Sequence, residues 1–271
     1  MNSPDISIPG LIFAFLLLIL PLLLLWHVRM TTMAGDSMRA IARMAVQLAL
    51  AGIFLTLLFE VNNPVFNLIW LFVMITVGAF EGVRRHGYAL GLLFWPTFAA
   101  FTLTVLSILF YLNIFVIQLG ALLFDAQFMI PIAGMLLGNA LSSHIIGVGT
   151  YFSDLTRNEG RYLAHLSFGA SKKEALLPYL QQGLTTALQP KLSNISTMGI
   201  VFLPGMMTGQ ILAGISPITA IKYQIALMIA IYSSTVISVA LAIKLLSKTA
   251  FDEYGILRKE LLNPKKETSP K

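Results

Sequence analysis

Apolar runs of membrane-crossing length follow one another almost from end to end of this 271-residue chain, and only the stretch from Arg157 to Pro190 interrupts them for long. Hydrocarbon offers no water to a peptide backbone, so such runs cross it as helices of about 20 residues each. The runs are continuous rather than alternating, which excludes a transmembrane β-barrel. Charged residues make up 11% of the chain, against about 25% in soluble domains, so most of the mass belongs in lipid. The expected fold class is all-α: a polytopic transmembrane helical bundle of about seven spans, forming one domain over residues 1–271 in the cell (inner or plasma) membrane.

In order, the expected spans are Ile8 to Trp26 with a kink at Pro21, Met44 to Phe59, Val65 to Phe80, Tyr88 to about Leu112, Phe128 to Phe152, about Leu192 to Ala213, and about Ile218 to Leu246. Residues 113–127 include an apolar piece, Ile114 to Phe124, that is too short to cross. They are expected as a helix extension plus an external loop holding Asp125. No Lys or Arg precedes Arg29, so the first run lacks the basic start of a secretory signal and is expected to be a retained span. With the N-terminus outside and the C-terminus inside, every Lys and Arg except Lys222 falls on or near the inner side, and the positive-inside rule selects that orientation. The same rule accounts for the net charge of +6 without a nucleic-acid partner. The basic tail, residues 247–271, is expected to be flexible. The chain has no cysteine, which removes disulfides, thiolate metal sites and iron–sulfur ligation.

The polar interruption, a loop over residues 153–190, carries Arg157, Glu159, Arg161, His165, Lys172, Lys173 and Glu174 and must lie in water. Within it, two helical pieces meet at Phe168-Gly169-Ala170-Ser171. Ser171 and Glu174 have the spacing of a capping box, and Leu163, Leu166 and Phe168 give the first piece an apolar side. A short helix of this kind suits docking of a partner. It reads equally well as a solvated connector.

The fifth and sixth spans each carry Gly-Met-x-x-Gly followed by a carboxamide: Gly134-Met135-Leu136-Leu137-Gly138-Asn139 and Gly205-Met206-Met207-Thr208-Gly209-Gln210. Gly134, Gly138, Gly205 and Gly209 are the candidate helix-packing positions, since small residues four apart let backbones approach. Met135 with Asn139, and Met206 with Gln210, share a helix face at i,i+4. Together with Met207, Ser142 and Ser143 they form a candidate translocation path, at a depth where two antiparallel spans would meet. Close packing with interhelical hydrogen bonds is the competing explanation. Thioethers are soft ligands and amides hard ones, so neither makes a tight divalent site and the metal ligands stay undetermined. His144 lies off this stripe and reads as a packed histidine; Glu81 reads as the partner of Arg84 or Arg85. There is no phosphate-binding Gly-x-x-x-x-Gly-Lys-[Ser/Thr], no His-Glu-x-x-His and no Gly-x-Ser-x-Gly, so no catalytic residues emerge. Energy must come from a gradient or a partner.

Ile130-Pro131-Ile132-Ala133-Gly134-Met135, Gly138-Asn139-Ala140, Phe168-Gly169-Ala170-Ser171, Leu203-Pro204-Gly205-Met206-Met207-Thr208-Gly209 and Ala220-Ile221-Lys222-Tyr223-Gln224 resemble the iron-export type ABC transporter permease family, which includes bacterial Fet permeases and plant aluminium-sensitive-three proteins. The resemblance implies a permease subunit that binds no cofactor itself and pairs with a separate ATPase carrying ATP and magnesium, as two permeases with two ATPases. It makes the polar loop a coupling helix, with Glu159, Ala164, Leu166, Phe168, Gly169, Ala170, Ser171 and Glu174 as its coupling residues. The loop is similar to the importer "EAA" loop at Ala164 and Gly169, but Leu163 stands where the glutamate belongs, so import does not follow from it. The resemblance implies export of iron or another metal ion, or, as in plant relatives, movement of a nucleotide-sugar or other small solute. A gradient-driven secondary transporter and a non-transporting scaffold are the readings from other classes.

Overall fold

The computed structural model describes residues 6–87 and 90–258 and contains ten α-helices among them. They are α1 (Ile8–Leu16), α2 (Ile19–His27), α3 (Thr31–Val61), α4 (Pro64–Arg84), α5 (Leu90–Tyr111), α6 (Ala126–Arg157), α7 (Glu159–Ser167), α8 (Lys172–Thr197), α9 (Gly205–Leu212) and α10 (Pro217–Ala250). Among the described residues six stretches are long and apolar enough to cross a membrane: Pro9–His27, Thr31–Val61, Pro64–Arg84, Leu90–Val116, Ala126–Arg157 and Pro217–Ala250. Tyr88, where the fourth span was expected to begin, lies outside the described residues.

Local chemistry explains the helix ends. Pro21 has no N–H to give to the Leu17 carbonyl, and the expected kink appears one turn earlier, as the break between α1 and α2. Asn62 closes α3 in the left-handed region, at φ 37°. Its amide donates to Asp125 (2.8 Å), and its oxygen accepts from the Ala126 N–H (3.0 Å). The buried Asn67 amide donates to the Phe124 carbonyl (2.8 Å), so the start of α6 is tied to the α3–α4 turn. Between α5 and α6 the chain continues as a π-turn (Leu112–Val116) and a 3₁₀ turn (Gly120–Leu122), and Asp125 caps α6 by accepting from the Gln127 N–H (2.9 Å). This matches the expected helix extension and loop.

α6 is the central post. It packs on α8, α10 and α4, while α5 packs on α10 and α4. One apolar cluster surrounds Leu71, Phe101, Met129, Leu136 and Leu227, and the other surrounds Tyr151, Phe152, Tyr162, Val239 and Leu246. The second lies toward the end of the bundle that carries Arg84, Arg85, Arg157, Lys172, Lys173, Lys244 and Lys248. α1 to α3 stand at the side of this bundle, and α3 buries only Leu58 among its described residues. Their long exposed apolar faces suit lipid or a second copy.

The sixth expected span, Leu192 to Ala213, is not one helix. Lys172, Lys173, Lys244 and Lys248 line one groove, so α8 starts where α10 ends. The chain therefore crosses between them through α8, a non-helical stretch at 198–204, and α9. Gly199 at φ 83°, β-branched Ile200 and Val201, and Pro204 break the helix there. The C-terminal segment also differs from expectation. α10 runs on to Ala250, and a turn held by Ile256 N–H to Asp252 Oδ1 (2.7 Å) buries Phe251 and Leu257 under α7. Ser247 to Arg258 is thus packed, because Tyr162 needs an apolar floor; the rest of the tail lies outside the described residues.

Candidate functional site

The polar loop forms the helix–turn–helix that its sequence suggests. α7 ends in a left-handed turn at Gly169, φ 90°, with Gly169 N–H donating to the Leu166 carbonyl and Ala170 N–H to the His165 carbonyl, both 3.0 Å. This is the Schellman arrangement, which satisfies the carbonyls that a helix end leaves free. Ser171 then caps α8. Its hydroxyl accepts from the Glu174 N–H (3.3 Å), and the Glu174 carboxylate accepts from the Ser171 N–H (2.8 Å).

Hydrogen bonds from the Ser171 side chain and backbone hold the Glu174 carboxyl below its ordinary 4.5. A depressed folded value stabilises the cap above the ordinary value, and that contribution is lost as pH falls through the lowered one. Ser171→Ala is expected to cost about 1 kcal/mol of local helix stability and to speed amide exchange over Lys172 to Ala175 at neutral pH. Unchanged exchange would show that the cap does not hold this end.

The two faces of α7 differ. Tyr162 is buried, donates to the Gly255 carbonyl (2.8 Å) and lies against Phe251, while the Lys172 ammonium sits over the Phe251 ring, 4.3 Å from its centroid. Burial, and then the Asp252 charge, push the Tyr162 phenol up; burial lowers the Lys172 ammonium, with Asp252 opposing. Leu166 packs on this cluster. Ala164 and Leu163 face out, and Phe168 is 91% exposed at the turn. The expected coupling residues thus divide. Leu166 supports the platform, Gly169, Ala170, Ser171 and Glu174 shape the turn, and Phe168 projects from it.

The Met–Gly stripe divides as well. Met135 and Met206 pack at the edge of the first apolar cluster and Met207 is buried. α9, with Gln210, packs mainly on α10. Of the four expected packing glycines, Gly134 alone has a near neighbour, Met74 Cε at 3.3 Å from a built Cβ. Gly138, Gly205 and Gly209 face open space within this chain. Ser143 is buried on the inward side of α6, whereas Ser142 is exposed. Asn139 is the meeting point: its Nδ2 donates to the Met135 carbonyl (2.8 Å), and its oxygen accepts from Lys191 of α8.

Beside that contact lies a polar surface. α8 exposes Gln182, Thr185, Gln189, Ser193, Asn194 and Ser196, next to the open Gly138 and Ser142 of α6. His144 is buried with its ring edge-on to Phe101 (5.1 Å), off this surface as expected. Glu81 pairs with Arg84 (3.4 Å) and Arg85 (3.8 Å). Among the described residues no three His, Asp or Glu side chains converge as a metal site would require.

A family model described as Uncharacterised protein family (UPF0014) matches residues 8–251. The chain belongs to the UPF0014 family. Relatives of this UPF0014 chain include UPF0014 membrane protein YjkA of Bacillus subtilis (strain 168), 31% identical over 83% of this chain and 87% of the relative. The Probable iron export permease protein FetB of Escherichia coli (strain K12) is 30% identical over 89% of this chain and 91% of its own length. Protein ALUMINUM SENSITIVE 3 of Arabidopsis thaliana is 29% identical over 79% and 77%. No solved structure matches the chain.

Sequence reading missed three residues of this UPF0014 site. Lys191 was placed at the aqueous edge, although its partner Asn139 lies about 20 Å along α6 from Ala126 and about 27 Å from Arg157 at 1.5 Å per residue. Gly147 and Gly183 form a close helix approach: a Cβ on Gly183 would stand 2.7 Å from the Gly147 carbonyl oxygen. The signal was present in Ser143-x-x-x-Gly147 and Gly183-x-x-x-Ala187, small residues four apart.

Proposed function

We propose that this chain is the membrane subunit of an ABC-type exporter, working as a pair of copies with two separate ATPases docked at the α7–α8 turn. The basic end of the bundle, which includes that turn, faces the cytoplasm by the positive-inside rule. The solute route runs along the open faces of α6 and α8 between the two copies. One observation carries the reading: α8 exposes a polar face at membrane depth, where lipid contact is costly. Water or a second subunit must cover that face. Iron is the candidate cargo because a relative covering nearly the whole chain carries the name Probable iron export permease.

The test is co-expression with a candidate P-loop ATPase, purification, and transport in proteoliposomes. ATP-dependent export by a complex holding two copies of each subunit is the expected result. Phe168→Asp is expected to cut ATPase capture at least about tenfold, since an exposed aromatic at a docking surface supplies much of the binding energy, while leaving the membrane-inserted amount unchanged. Full capture by Phe168→Asp would remove the turn from the docking surface. Transport without ATP, driven by an ion gradient, would replace the whole reading with a secondary carrier.

A further inference from the structure

Lys191 puts an ammonium group on the proposed route near mid-depth. Its ammonium donates to Asn139, a neutral amide that a second bond to the Met135 carbonyl holds in orientation. A lysine has three donors, and Asn139 is the hydrogen-bond partner that the structure shows for it among the described residues. Among the described residues no carboxylate forms an ion pair with it. The chain has no Asp or Glu from Ala175 through Phe251, and none between Asp125 and Asp154, so α8 beyond its first turn, α9, α10 and the membrane-embedded length of α6 carry no negative side chain; Glu174 sits at the far, basic end of α8, in its cap. Asp125 and Asp154 lie at the two ends of α6, engaged in capping and with Arg157. Met135 and Met206, whose thioethers would soften a metal path, pack at the edge of the apolar cluster.

We infer that Lys191 is the charge-selecting residue of the route and that the species it passes is a net anion, a carboxylate- or phosphate-bearing solute. Iron then travels as an anionic chelate and not as the free cation. The inference rests on the reading of α6 and α8 as the route. A bare divalent cation would meet an unbalanced positive charge where the local dielectric is low, and anion-selective pores place Lys or Arg in this way for the converse reason. Asn139 is a positioning residue: it holds the ammonium toward the open face beside Ser142 and Gly138.

The experiment uses the permease purified with its ATPase in proteoliposomes, reading substrate-stimulated ATP hydrolysis with four probes: ferrous chloride, ferric citrate, citrate alone, and uridine diphosphate glucose. Stimulation by at least one anionic probe and none by ferrous chloride is expected for the wild type. Citrate against uridine diphosphate glucose separates a carboxylate from a phosphate source, and ferric citrate against citrate shows whether the metal is needed. Lys191→Gln keeps a donor for Asn139 but removes the charge, and is expected to raise the half-saturating concentration of the anionic probe about tenfold. Lys191→Arg should restore it to within about threefold, a rescue that a merely structural contact would not require to follow charge. Lys191→Glu should abolish the anion response; if it does not fold, Lys191→Gln and Lys191→Arg carry the comparison. Stimulation of the wild type by ferrous chloride alone, or a Lys191→Gln response equal to wild type, would overturn the inference and leave the transporter reading standing. A wild-type chain that binds no ATPase would overturn that reading, and the inference with it.

Discussion

Gly183→Leu is expected to leave no assembled protein in the membrane. At this point α6, α8 and α10 meet: a Cβ on Gly183 would press to 2.7 Å from the Gly147 carbonyl oxygen, and one on Gly147 would stand 2.7 Å from Val239 Cγ1 and 3.1 Å from Ala187 Cβ. A carbonyl oxygen on a packed helix cannot rotate away as a side-chain tip can, so the two helices must separate. Overpacking of this kind costs about 1–3 kcal/mol for an added methylene in a core that yields, and more where backbone is the obstacle. The loss also reaches function, because α8 would lift from α6 and release Lys191 from Asn139. Gly183→Ala is expected to express at reduced level with a lowered melting temperature, and Gly183→Leu to be degraded. Gly138→Ala is the contrast, since nothing within the chain lies within 4 Å of its Cβ. Equal thermal stability of Gly183→Ala and wild type in detergent would show that this crossing does not set the distance between α6 and α8.

That contrast marks where the sequence was legible. Gly134-x-x-x-Gly138 and Gly205-x-x-x-Gly209 stood out as a repeated motif, yet Gly138, Gly205 and Gly209 open onto the outside of the chain, and the intrachain approach is made by Gly147 and Gly183. A pattern of small residues states that something comes close; it does not state which neighbour, because that depends on helix rotation set by the whole bundle. Crossing helices were plain, since backbone in lipid has few alternatives to a continuous apolar helix. The interruption of α8 was hidden by its own hydrophobicity. Ile200, Val201, Phe202 and Leu203 keep the run apolar, while Gly199 and Pro204 bend the chain out of helix.

Lys191 was misplaced for a related reason. Reading charges as boundary markers assigns any lysine to water, and only the antiparallel register of α8 on α6, fixed by Gly147 against Gly183 and Asn139 against Lys191, moves it inward. The polar loop was read correctly in its local structure because caps act within four residues. Its buried floor was not. Tyr162 is held by the Gly255 carbonyl and Phe251, residues some ninety positions away, and no local pattern announces such a contact. Leu166 accordingly turns inward, leaving Phe168 as the main apolar group that a partner would meet.

If the α7–α8 turn docks an ATPase as proposed, Gly169→Val is expected to uncouple hydrolysis from transport. Gly169 sits at φ 90°, and a built Cβ meets nothing within 4 Å, so the effect of substitution comes from the backbone and not from crowding. An L-residue in the left-handed region costs about 1–2 kcal/mol, and a β-branched one more. The chain relieves that strain by rotating Gly169 out of its turn, which breaks the Ala170 to His165 and Gly169 to Leu166 bonds that end α7. Phe168 on one side and the Ser171 cap on the other then change direction together, although α7 keeps Tyr162 in its pocket and the spans keep their packing. Insertion and thermal stability of the spans should therefore stay near wild type while ATP-driven export falls at least about tenfold, the loss expected when a docking geometry shifts without losing its residues. The order of severity follows backbone preference: Gly169→Asn mildest, because Asn tolerates the left-handed region, then Gly169→Ala, then Gly169→Val. A series that followed side-chain volume at this open site, with Gly169→Asn worse than Gly169→Ala, would point instead to a partner surface pressed directly against residue 169. Normal export by Gly169→Val with a full complement of bound ATPase would remove the turn from the coupling mechanism.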